Sequence, residues 1–103
     1  MSDFIHDCLT GNALLEDIDD YIDIWHEGDS KKELYEYLGM DKHEYTLFVE
    51  YPELLALIVT AHKEQINVDN IVKREFESIA ARSDDQQKMD RLKKWLKTQG
   101  LWE

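Results

Sequence analysis

Glycine and proline break helices, and this chain places them only where a helix would stop or start. It has four glycines and one proline in 103 residues. Gly11, Gly28, Gly39 and Gly100 each follow a periodic apolar segment, the usual place for a left-handed C-terminal cap. Pro52 suits a first helical turn, where its missing N–H costs nothing. Ser30-Lys-Lys-Glu33 and Ser83-Asp-Asp-Gln86 read as capping boxes, and Asp41-Lys-His-Glu44 follows the same logic. Asn12 and Asp69 are further N-cap candidates. No segment alternates with period two over a useful length, and there is no Asn-Gly or Asp-Gly hairpin signal. The pattern predicts helices near 2–10, 12–27, 30–38, 41–50, 52–65, 69–82 and 83–99. The expected fold is all-α: a bundle of about six or seven short helices, with a helix-turn-helix-like hairpin near 30–50 and a C-terminal helical hairpin.

Helical periodicity then divides each segment into faces. On 12–27, Leu14, Leu15, Ile18, Tyr21, Ile22 and Trp25 fill one arc, and Glu16, Asp17, Asp19, Asp20, Asp23 and Glu27 fill the other. On 52–65, Leu54, Leu55, Leu57, Ile58, Val59 and Ala61 cover more than half the circumference, the pattern of a central helix packed on two sides. Trp25 is expected in the core between these two helices, together with Leu38. The last two helices carry narrower stripes, Val72/Phe76/Ile79 and Met89/Leu92/Leu96, and read as an outer hairpin. Val68, in a short 66–68 linker, would pin that hairpin to the rest. A chain of this length is expected to form one domain, 1–103, with 1–65 as its core and 66–103 as the hairpin.

Composition narrows the function. The residues are 43% apolar and 34% charged, which excludes a disordered tail, a fibrous repeat and a membrane protein. Acids outnumber bases 23 to 12, for a formal charge of −11. Phosphate backbones and anionic lipid repel such a polyanion, so neither nucleic acid nor membrane is an expected partner of this chain alone. Cys8 has no second cysteine to pair with, the N-terminal residues lack a secretion signal, and the uncharged stretch Leu54–His62 is far shorter than a membrane span of about 20 residues. A cytoplasmic location is expected. Charge is also segregated: residues 1–30 hold nine acids and no Lys or Arg. The stretch Lys88–Lys97 holds five bases, Lys88, Arg91, Lys93, Lys94 and Lys97, against Asp90 alone. Beyond plain solvated faces, this segregation suits a basic last helix lying on the acidic half, within a monomer or across a homodimer.

Chemistry-bearing patterns are sparse. Asp19, Asp20, Asp23, His26 and Glu27 form the densest polar cluster, but a convex helix face does not converge ligands, and Ile22 stands where a calcium loop starting at Asp17 needs glycine. No metal or cofactor is expected. His26 lies at the seam of the two arcs beside Asp23 and reads as a surface histidine on a local carboxylate, while His62, mid-arc on 52–65, reads as a satisfied core histidine. His6 and His43 have no partner at telling spacing. Asp7 beside Cys8 would raise the thiol pKa, the wrong direction for a nucleophile. There is no glycine-rich phosphate loop, zinc spacing or GxSxG turn, so no enzyme activity is expected.

Two patterns concern binding. Leu34-Tyr-Glu-Tyr-Leu-Gly-Met40, followed by Asp41 and a short helix, has helix-turn-helix spacing. The would-be recognition helix, 42–50, offers one lysine against two glutamates, whereas DNA readers use Arg or Lys on phosphates and Arg, Asn or Gln on bases. Ile24 points into the middle of the acidic arc, an apolar anchor ringed by carboxylates. Ile18-Asp-Asp-Tyr21, Trp25-His-Glu-Gly-Asp-Ser30, Leu34-Tyr-Glu-Tyr-Leu-Gly-Met40, and Glu44-Tyr45 with Pro52-Glu-Leu-Leu55 resemble a family of short acidic bacterial helical proteins associated with toxin–antitoxin loci. The likeness covers roughly residues 1–60, implies a helical fold and an antitoxin setting, and supplies no catalytic residues. The expected function is an acidic interaction module, an antitoxin or immunity-type inhibitor, that docks Asp19, Asp20, Asp23, Ile24 and Glu27 on a basic protein partner. The alternatives are a helix-turn-helix regulator and an acidic DNA mimic of the kind phage inhibitors use.

Overall fold

The computed structural model describes residues 3–28, 31–82 and 85–100. Among them the chain is all-α, with no strand. Its seven helices are α1 (Phe4–Leu9), α2 (Ile18–Glu27), α3 (Leu34–Leu38), α4 (Lys42–Glu50), α5 (Leu55–Glu64), α6 (Val68–Arg82) and α7 (Gln86–Thr98). Single 3-10 turns, Leu15–Asp17 and Pro52–Leu54, lead into α2 and α5. The chain packs as two compact units, residues 1–59 and 60–103.

Side-chain caps set the helix starts. Asp3 opens α1 by accepting the His6 N–H at 2.8 Å. Asp41 and Glu44 form the expected reciprocal box: the Glu44 N–H donates to Asp41 Oδ1 at 2.7 Å, and the Asp41 N–H donates to Glu44 Oε1 at 2.9 Å. Glu44 can therefore lie buried without an unsatisfied oxygen. Other caps differ from expectation. α6 begins at Val68, where Asn67 Oδ1 takes the Asp69 N–H at 2.8 Å, so Asp69 belongs to the first turn and Val68 is helical. α7 is capped by Asp85, which accepts the Lys88 N–H at 3.0 Å. Ser30 and Ser83, the expected first residues of the other two boxes, lie outside the described residues. Gly39 closes α3 at φ +90°, while Gly28 is extended at φ −96° and is no left-handed cap.

The largest departure is the helix expected over 12–27, which starts at Ile18. Local acceptors hold residues 12–14 in a non-helical turn. The Asn12 and Ala13 N–H groups both donate to the Asp7 carbonyl, at 2.8 and 3.1 Å, and the Leu14 N–H donates to Asp17 Oδ2 at 2.9 Å. Asn12 is consequently no cap; its side-chain amide donates to Thr10 Oγ1 at 3.0 Å. Leu14 and Leu15 leave the expected buried arc and stand 63% and 37% exposed.

In unit 1 the core is built from Phe4, Ile5, Ile18, Leu38, Met40, Leu47, Leu54, Leu55 and Ile58. α3 is the short element on which α1, α2 and α4 each pack. Trp25 does not fill that core. It is half-buried, and its Nε1–H donates to the Lys32 carbonyl at 2.9 Å, fastening the end of α2 to the chain that enters α3. An indole must satisfy its N–H, and the backbone just ahead of α3 offers that acceptor.

The C-terminal helical hairpin expected from the narrow stripes of α6 and α7 is present, and unit 2 carries a core of its own. Val68, Ile71, Val72 and Ile79 on α6, with Leu92, Trp95 and Leu96 on α7, are at most 2% exposed. Trp95 donates its Nε1–H to Asp69 Oδ1 at 2.9 Å, across the hairpin. Lys88 Nζ meets Glu75 Oε2 at 2.8 Å, and Arg74 grips Glu64 with two hydrogen bonds of 2.9 and 2.7 Å. His62 on α5 is half-buried rather than a core residue.

Candidate functional site

α2 is oriented from behind. Tyr21 donates its hydroxyl to Asp7 Oδ2 at 2.5 Å, and its ring meets Phe4 edge-on with centroids 5.1 Å apart. The phenol pKa is pushed up to about 12, first by this bond to the carboxylate, then by burial and the negative charge of Asp7. Ile18 is buried, and Tyr21, Ile22 and Trp25 are half-buried along the same stripe. The opposite face is thereby turned to water. Asp19, Asp20, Asp23 and Glu27 are all exposed there, and Ile24 stands among them at 59% exposure. All five residues expected to bind a partner thus share one exposed helix face. His26 is exposed and packs edge-on against Trp25, its ring centroid 5.1 Å away.

Beside this face lies a groove that periodicity did not reveal. The two 3-10 turns form its lips, with Leu15, Glu16, Ile18 and Asp19 on one side and Pro52, Glu53, Leu55 and Ala56 on the other. Phe48 of α4 closes one wall, and the hollow measures about 370 Å³. Tyr45 backs Phe48 at a centroid distance of 6.3 Å, and Tyr35 stands 6.4 Å from Tyr45. The only sequence signals were the adjacent leucines, Leu14 and Leu15, and the turn proline, Pro52; neither specifies a concavity.

The remaining candidates stay separate. Cys8 is half-buried, and its thiol pKa is raised by burial and by the charges of Asp7 and Asp17. Among the described residues, no group of three His, Cys, Asp or Glu could hold a metal ion. α3, Gly39 and α4 do form a helix–turn–helix hairpin, but α3 has five residues. α4 exposes Lys42, Thr46, Val49 and Glu50. On α7, Lys94 and Lys97 are exposed while Lys88 is paired with Glu75. Charge follows the two units: residues 1–59 carry fifteen acids and three bases, net −12, and residues 60–103 carry eight acids and nine bases, net +1. Among the described residues, no helix is long and apolar enough to cross a membrane. No family model, curated protein or solved structure matches this chain.

Proposed function

We propose that this protein is an acidic interaction module, an inhibitor of antitoxin or immunity type acting in the cytoplasm, that occludes a basic protein partner with the exposed face of α2. The observation that carries the reading is Ile24, 59% exposed on the same helix face as the exposed carboxylates Asp19, Asp20, Asp23 and Glu27. An apolar anchor inside a charged rim is the composition of a protein-binding hot spot. The rim carboxylates steer a basic partner and speed encounter, and the anchor slows its release. The bonds of Tyr21 to Asp7 and of Trp25 to Lys32 hold α2 in place, so little order is lost on docking.

The test begins with affinity capture from the native host and continues with stopped-flow kinetics on the recovered partner. Replacing Asp19, Asp20 and Asp23 together by asparagine should leave the fold intact, slow association and flatten its salt dependence. Ile24→Ala should instead speed dissociation by roughly tenfold. Association and dissociation rates that ignore both variants would return this face to plain solvated surface. The α3–α4 hairpin favours a second reading, DNA contact, which the exposed residues of α4 weaken. Titration of duplex DNA at two salt concentrations separates the two, since a DNA reader loses affinity steeply as salt rises.

A further inference from the structure

Resting on that reading, we propose that the groove beside α2 receives the partner as a cationic amphipathic segment. One or two large apolar side chains would sit in the hollow, with flanking lysines or arginines on the rim. The volume, about 370 Å³, lies at the small end of the roughly 300–1,000 Å³ of ligand sites, which suits side chains better than a cofactor. Its floor is the buried pair Ile18 and Leu55, and its walls include Leu15, 37% exposed, and half-buried Phe48. Apolar surface of this kind stays wet until something covers it.

The rim selects what can cover it. Glu16 and Asp19 stand exposed on one lip, and Glu53 lines the other, on a unit of net charge −12. A nucleotide, a fatty acid or an acidic peptide would bring its anion against these carboxylates. A cationic amphipath buries its apolar side chains against Leu15 and Phe48 and leaves its cations beside the rim, where opposite charges lower the cost of desolvation. Asp19 belongs both to this rim and to the exposed face of α2, so groove and face form one continuous acidic surface.

The experiment uses the full chain and a fluorescein-labelled Lys-Leu-Leu-Lys-Lys-Leu-Leu-Lys peptide, read by anisotropy. Ala56→Trp fills the hollow from an exposed position at constant charge and should weaken peptide binding about tenfold or more. Leu15→Ser, which strips a wall from an exposed residue, should weaken it in the same direction if Ala56→Trp perturbs folding. Glu16→Gln with Asp19→Asn should weaken binding more at low salt than at high. The matching Lys-Ser-Ser-Lys-Lys-Ser-Ser-Lys peptide should bind weakly. Equal affinity for the leucine and serine peptides, or no effect of Ala56→Trp and Leu15→Ser, would overturn the inference, because charge alone would explain the binding. A dimer in sedimentation that Ala56→Trp abolishes would overturn it too, assigning the hollow to a second copy. Ile24→Ala separates this inference from the reading beneath it. Loss with Ile24→Ala and not with Ala56→Trp sinks the groove and keeps the α2 face. The reverse keeps the groove and removes Ile24 as the anchor.

Discussion

Two tryptophans carry opposite weights in this chain. Trp95 is fully buried and spans the α6–α7 hairpin through its bond to Asp69, whereas Trp25 is half-buried and bonds a backbone carbonyl. Trp95→Ala should cost about 3–5 kcal/mol, by cavity formation and a lost hydrogen bond. Trp25→Ala should cost only about 1–2 kcal/mol, from one hydrogen bond and partial burial. Urea unfolding followed by circular dichroism checks both; equal losses would put Trp25 back in the core. Tyr21 gives a pH signature. Its phenol is held at about 12, above the ordinary value of about 10, so the fold favours the protonated form. That contribution is complete below about pH 10 and is lost as pH rises through about 12. Tyr21→Phe should therefore be less stable at neutral pH and decline less steeply over that alkaline window, as measured by denaturant midpoints. Parallel declines for the two proteins would show that the bond to Asp7 contributes nothing.

At the scale of elements, the α3–α4 turn rests on a close approach that a capping rule alone does not reveal. Gly39 has φ +90°, and a Cβ there would land on the carboxylate of Asp3, the residue that caps α1. Asparagine tolerates the left-handed backbone but still carries that Cβ. Gly39→Asn should thus cost about 1 kcal/mol through the disturbed cap, and Gly39→Val about 2 kcal/mol or more through strain added to the clash. Gly11 has φ +81° with nothing near its missing Cβ, so Gly11→Asn should be nearly neutral. Thermal melts rank the three. If Gly39→Asn proves as mild as Gly11→Asn, the contact with Asp3 has no energetic consequence. The Asp41–Glu44 box was legible because both partners lie in one turn. The start of α2 was not, because the Asp7 carbonyl that draws off the Asn12 and Ala13 N–H groups belongs to the preceding helix end.

Across the whole molecule, charge is distributed as unevenly as the sequence implied, with net −12 on residues 1–59 and +1 on residues 60–103. Exposed carboxylates crowded on the first unit repel one another, and salt screens that repulsion over about 8 Å at physiological strength. Raising sodium chloride from low levels to about 0.15 M should therefore raise the melting temperature. The Asp19/Asp20/Asp23 asparagine triple variant should start from a higher melting temperature and gain less from salt. A wild-type melting temperature that falls with salt would mean that attractive pairs, such as Arg74 with Glu64, outweigh the repulsion.

Sequence alone determined the helical class, the count and order of helices, and the exposed acidic face of α2 that also carries Ile24. These depend on neighbours three or four residues apart, and local spacing records such neighbours. Only the tertiary structure decided that Trp95 rather than Trp25 is a core tryptophan, that the C-terminal hairpin holds its own core, and that Leu15 and Phe48 flank a hollow. Each depends on what a side chain meets from another element: Asp69 for Trp95, the Lys32 carbonyl for Trp25, and the facing 3-10 turns for the groove. Helical periodicity tells which way a residue points along its own helix; what it meets there is set by how the elements pack.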